Sequence, residues 1–79
     1  MSSIIMRGVF MQIFAQRLRA LREAASLSRE KAANAIQITS RTYQRYENDE
    51  REPTAPTIVA LADFFGVSAD YLLGRSDER

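Results

Sequence analysis

Four side chains in the stretch from Ser40 to Arg45 are of types that pair with nucleobase edges: Ser40, Arg41, Gln44 and Arg45. An arginine offers two parallel donors to guanine O6 and N7, a glutamine amide matches adenine N6 and N7, and a hydroxyl serves several partners. Their spacing, i, i+1, i+4 and i+5, puts all four on one side of an α-helix, with Tyr43 and Tyr46 on the other. The same side chains also suit the solvated face that any soluble helix needs. The elements that carry them decide between the two readings.

Thr39 is placed to cap the helix that bears these residues, and Ser28 to cap a preceding helix that runs to about Ile36 with Ala32, Ala33 and Ile36 on one face. Only Gln37, Ile38 and Thr39 separate the two helices. Ala33 has almost no side chain where they cross, so the second can lie steeply over the first, a helix-turn-helix arrangement. Gln37 stands where such a turn needs a left-handed backbone, at a cost of about 1 kcal/mol for a residue other than glycine.

Around this pair the chain reads as helices. From about Gln12 to Ala25 the residues Phe14, Leu18, Leu21 and Ala25 form an amphipathic stripe, with Arg17 and Arg19 expected outside it. Arg22 falls beside the stripe, where a half-buried guanidinium requires a carboxylate, and Glu47 is the expected partner. After the charged loop Asn48–Pro53, Thr54 is expected to cap a helix with Ile58, Leu61, Ala62 and Phe65 inward, ended by Gly66. Ser68 then caps a short fifth helix closed by Gly74. Tyr71 and Leu72 on that helix, with Phe64 and Phe65, fit either the core or an exposed strip for a second subunit.

Residues 1–11 form an apolar segment with three readings: an arm that packs on a partner subunit, an extension of the first helix, or sequence upstream of a start at Met6 or Met11. The organisation expected is this segment, a domain over 12–75 and a polar tail at 76–79. The segment lacks the basic start and small-residue cleavage site of an export signal and is too short to span a membrane.

Seventy-nine residues, of which 46% are hydrophobic, suffice for one small all-α domain with a packed core. The chain has no cysteine and no histidine, so thiolate and imidazole metal sites and the commonest general base are missing. Asp49, Glu50 and Glu52 share one loop with Arg51 among them, a poor metal cage. No catalytic constellation, metal or cofactor is expected. The net charge is only +1, but it is unevenly spread: residues 1–31 hold six basic side chains against Glu23 and Glu30, and the part from Pro53 onward is net acidic.

Over residues 13–77 the sequence resembles the Xre/Cro-like helix-turn-helix transcriptional regulators of bacteria and phages, which include the lambdoid repressors. The most specific matches are Leu27-Ser28, RYEN at 45–48, REPT at 51–54, LADFFGVS at 61–68 and DYLLGRSD at 70–77. The resemblance implies a compact five-helix, lambda-repressor-like bundle. It places base contacts at Ser40, Arg41 and Arg45, with Gln44 at their edge, and DNA backbone contacts at Ser28, Arg29, Thr39, Asn48 and Arg51. The family's structural arginine–glutamate pair falls on Arg22 and Glu47, as the local argument had it. Arg29 replaces the usual phosphate-gripping glutamine and Gln37 the usual turn glycine. Ala32 replaces a leucine and Tyr43 an isoleucine, a pair of changes expected to conserve core volume.

The function expected is a sequence-specific regulator, a repressor that binds double-stranded DNA as a homodimer at a pseudo-palindromic operator, in a bacterial or phage cytoplasm and on the nucleoid. The alternative is a protein-interaction module, an antitoxin or anti-repressor, with a regulatory protein as partner and DNA contact secondary.

Overall fold

The computed structural model describes the backbone of residues 2–79 and the side chains of residues 12–79. Five helices make up the described fold: α1 Ser2–Ala24, α2 Arg29–Ala35, α3 Ser40–Glu47, α4 Ala55–Phe65 and α5 Ala69–Leu72. The backbone of α1 is continuous from Ser2, so the first helix takes the extended form; packing of an arm on a partner falls on side chains outside the described residues.

Four helices begin where a hydroxyl was placed to begin them. Ser28, Thr39, Thr54 and Ser68 each accept the amide three residues on, from Lys31, Thr42, Thr57 and Tyr71. Each such cap is worth about 1 kcal/mol over alanine.

The helix ends share one device. At the end of α2, Ile38 N–H bonds to Ala33 O at 3.0 Å and Gln37 N–H to Asn34 O at 3.1 Å, the paired bonds of a Schellman motif. The same pair closes α1 at Ser26 and Leu27, and α3 at Asp49 and Glu50. The residue in the left-handed position is glycine after α4 and α5, at Gly66 and Gly74, but Ser26, Gln37 and Asp49 after α1, α2 and α3, with φ of 57°, 61° and 59°. The strain expected at Gln37 is therefore present, and two further residues share it. Gln37→Gly is expected to stabilise the domain by about 1 kcal/mol, read as a rise in melting temperature, because the substitution removes the Cβ clash without disturbing either turn hydrogen bond.

Phe14, Leu18 and Leu21 of α1 meet Ala32 and Ala33 of α2, Tyr43 and Tyr46 of α3, Leu61 and Ala62 of α4 and Leu72 of α5 in one buried cluster. Tyr43 and Ala32 are both fully buried, as volume compensation requires. The buried Tyr43 hydroxyl lies beside the Glu47 carboxylate without a hydrogen bond of good geometry among the described residues. Burial, and after it the nearby Glu47 carboxylate, raise its pKa, so it stays a neutral phenol. Tyr43→Ile alone should cost on the order of 2 kcal/mol through the void it leaves, and Ala32→Leu added to it should recover much of that loss in a denaturant-unfolding cycle. Of the four residues that fitted core or exposed strip, Leu72 is fully buried, Phe65 and Tyr71 pack partly against the core, and Phe64 is exposed.

Arg17 departs from expectation. The helical period puts it on the outer face of α1, but in the fold it is mostly covered, its side chain 22% exposed, and it ties the C-terminal segment down. Its guanidinium donates to Tyr71 O, to Ser76 O at 2.6 Å and to Asp77 Oδ1 at 2.9 Å, and lies 4.2 Å from the centroid of the Tyr71 ring. The polar stretch after α5 accordingly folds back, with Ser68 N–H donating to Arg79 O at 2.7 Å. Gly74 permits this close approach: a Cβ there would come within 2.7 Å of Ile13 Cγ2.

Candidate nucleic-acid interface

The α2–α3 unit is held together at the crossing by the fully buried Ala32 and Ala33 and by the four-residue connection from Ile36 to Thr39. Burying Tyr43, Tyr46 and Glu47 on the inner side of α3 fixes the rotation of that helix. Ser40, Arg41 and Gln44 are thereby left exposed, with Arg45 half-buried at the edge of the same face. Glu47 is the one acidic residue of α3, and it points inward. The outer face therefore offers two guanidiniums, an amide and a hydroxyl with no carboxylate of its own helix to occupy them.

Glu47 is the electrostatic centre of the interior. Its carboxylate, with no exposed surface, receives Arg22 Nε on Oε2 at 2.6 Å and Arg22 Nη2 on Oε1 at 3.1 Å. Arg22 also donates to Leu27 O at 2.9 Å, so one guanidinium joins α1, the link into α2, and α3. The expected pair is thus formed as a two-pronged contact. Two other arginines reach the same carboxylate: Arg29 Nε lies 3.3 Å and Arg19 Nε 3.7 Å from Oε1. Burial by itself would push the Glu47 pKa up; the Arg22 hydrogen bonds, joined by Tyr43 and Arg29, outweigh it and hold the group below its ordinary 4.5. The same bonds, working against a smaller burial penalty, raise the pKa of Arg22.

The residues expected at the DNA backbone fall into two pairs and one that stands alone. Arg29 and Asn48 gather around Glu47, Asn48 accepting from Arg19 Nη2 at 3.4 Å through Oδ1. Ser28 accepts the Lys31 amide at 3.1 Å and keeps its own hydroxyl proton available, whereas Thr39 both accepts the Thr42 amide and donates to the Thr42 hydroxyl at 2.9 Å. Arg51 stands apart, exposed in the loop after α3. The convergence of Arg19 and Arg29 on Glu47 is not legible in the sequence. Nothing in the local pattern marks it, since the three residues sit on different helices and meet only once α3 lies across α1 and α2.

A model of the helix-turn-helix family matches residues 18–72, which run from the middle of α1 to the end of α5. The chain belongs to the Xre/Cro-like helix-turn-helix family. Among its relatives are the uncharacterised HTH-type transcriptional regulator YobD of Bacillus subtilis, 39% identical over 84% of this chain, and the regulator ImmR of the same organism, 34% identical over 78%. The cryptic phage CTXphi transcriptional repressor RstR of Vibrio cholerae is 34% identical over 82%. These matches cover 59%, 49% and 59% of the relatives, so the chain spans about half to three-fifths of their length. The crystal structure of a hypothetical transcription factor, NHTF from Neisseria, shares the fold with a TM-score of 0.77 at 22% identity, over 81% of this chain and 74% of that one. As a member of this family the chain carries a helix-turn-helix domain of the kind found in HTH-type transcriptional regulators. Among the described residues no helix is long and apolar enough to cross a membrane.

Proposed function

We propose that this helix-turn-helix regulator is a sequence-specific repressor that reads a pseudo-palindromic operator as a homodimer, each copy laying α3 in a major groove. The observation that supports this most is the division of α3 into a buried face of Tyr43, Tyr46 and Glu47 and an outer face of Ser40, Arg41, Gln44 and Arg45 without an acidic residue. In this reading Arg41 and Arg45 discriminate bases, Ser40 and Gln44 add hydrogen bonds, and Ser28, Arg29, Thr39, Asn48 and Arg51 fix register on the phosphates. Two recognition helices must then sit about 34 Å apart to meet successive turns of the groove. Occupancy of the operator blocks polymerase, in a bacterial or phage-infected cytoplasm.

Selection of bound duplexes from a randomised pool tests the reading. Enrichment of a two-fold symmetric site with half-sites about 10 base pairs apart is the expected result. Enrichment of a single asymmetric site would remove the dimer, and absence of enrichment would remove sequence reading altogether.

A further inference from the structure

The outer face of α3 is wider than the four side chains so far assigned to it. Tyr43, Tyr46 and Glu47 are buried and fix the inner face. At about 100° per residue, Thr42 lies roughly 90° from the middle of the opposite face, nearer to it than Ser40 at roughly 110°. Thr42 is half-buried and outside the core cluster, and it flanks Arg45 on the side away from Ser40 and Gln44. It therefore occupies the rim of the face, where a helix lying in a major groove meets the groove wall.

The two branches of Thr42 are held by one bond. Its hydroxyl oxygen accepts from the Thr39 hydroxyl at 2.9 Å, while Thr39 Oγ1 accepts the Thr42 amide at 3.1 Å. Both branches hang on one Cβ, so fixing the oxygen also fixes the γ-methyl and leaves little rotamer freedom to lose on binding. In the major groove only thymine offers an apolar group, its 5-methyl, and a threonine methyl is among the groups that pack on it. The Thr39–Thr42 pair alone is a helix cap, because Thr54 and Thr57 form the same pair at the start of α4, with hydroxyls 2.9 Å apart. What distinguishes Thr42 is its place beside Arg45 on the outer face of α3.

We propose that Thr42 is a specificity-determining residue that packs its γ-methyl on the 5-methyl of one thymine in each half-site, with Thr39 as the positioning residue. The inference rests on the proposed reading in which α3 enters the major groove. It adds a base to that reading, a thymine next to the guanine sought by Arg45.

The test takes the duplex selected with the parent protein and replaces each thymine in turn by deoxyuridine, which removes the 5-methyl and keeps the base pair. Replacement of one thymine in each half-site is expected to weaken binding about fourfold, the worth of one buried methyl group. Thr42→Ser keeps the hydroxyl pair; it should weaken binding to the thymine duplex by a similar factor and no longer distinguish thymine from uracil there. Thr42→Val keeps a methyl and should retain the distinction. Thr39→Ala should reduce the thymine-to-uracil ratio, which loss of a cap alone would not move, and Thr39→Ser should restore it. Thr57→Ser, the equivalent change in α4, should leave the ratio at the parent value. A ratio unchanged in Thr42→Ser, or a selected site whose thymines can all be replaced without loss, would overturn the contact while leaving groove reading by α3 intact. A selected half-site that lacks thymine would do the same. Absence of any selected site would overturn both readings.

Discussion

Glu47→Ala is expected to destabilise the domain by about 3 to 5 kcal/mol, the cost of removing one partner from a buried, hydrogen-bonded ion pair. For a domain of this size that is a large part of the total stability. The reason lies in what is left behind: Arg22 loses both of its carboxylate acceptors at a largely buried site, and Arg29 and Arg19 lose the charge that draws them together. Three cations would then face one another across the junction of α1, α2 and α3. Glu47→Gln keeps the shape and should cost less, though still through the lost charge. Equilibrium unfolding in denaturant checks both variants, and a cost below about 1 kcal/mol for Glu47→Ala would show that the junction is not held by this carboxylate.

The same group sets an acid limit. The Glu47 pKa is lower in the folded protein than its ordinary 4.5, so the unfolded chain takes up the proton first as pH falls. The stabilisation is fully present above about that value and is lost as pH drops through the folded-state pKa. The parent protein should therefore melt at progressively lower temperature below about pH 4.5, and Glu47→Gln should flatten that part of the profile.

Arg41→Ala and Arg45→Ala should each remove about 1 to 3 kcal/mol of discrimination, roughly 5- to 150-fold in affinity for the selected site against a mismatched one, where the arginine makes a bidentate contact to guanine. Because Arg41 is exposed on α3 and outside the core, its loss should leave the melting temperature nearly unchanged. Arg45 is half-buried, so part of its effect should register as stability. A variant that lost affinity equally for all sequences would place its arginine on the phosphates instead.

Several features could be read before folding because each follows from a local requirement. A hydroxyl ahead of an apolar period marks a helix start, and Ser28, Thr39, Thr54 and Ser68 all act as caps. A guanidinium beside an apolar stripe needs a carboxylate, and Arg22 finds Glu47. A three-residue turn without glycine must strain someone, and Gln37 is left-handed. What stayed hidden depends on contacts distant in sequence. Arg17 looked solvent-facing by its position on the α1 stripe, but its partners Tyr71, Ser76 and Asp77 come from the other end of the chain. Ser26 and Asp49 became left-handed because of where α1 and α3 stop, a boundary that side-chain periodicity leaves loose. The convergence of Arg19 and Arg29 on Glu47 needed the crossing of three helices, which no single stretch of sequence encodes.

The claim that Arg41 and Arg45 on the outer face of α3 read base edges is tested most directly by replacing each guanine of the selected duplex in turn with 7-deazaguanine. That change removes the N7 acceptor in the major groove and leaves pairing and the minor groove as they were. A loss of affinity is expected at one or two symmetry-related guanines in each half-site, abolished in Arg41→Ala or Arg45→Ala for the guanine that each arginine contacts. Full affinity with every guanine replaced, for a site that contains guanine and depends on it, would contradict major-groove reading by α3.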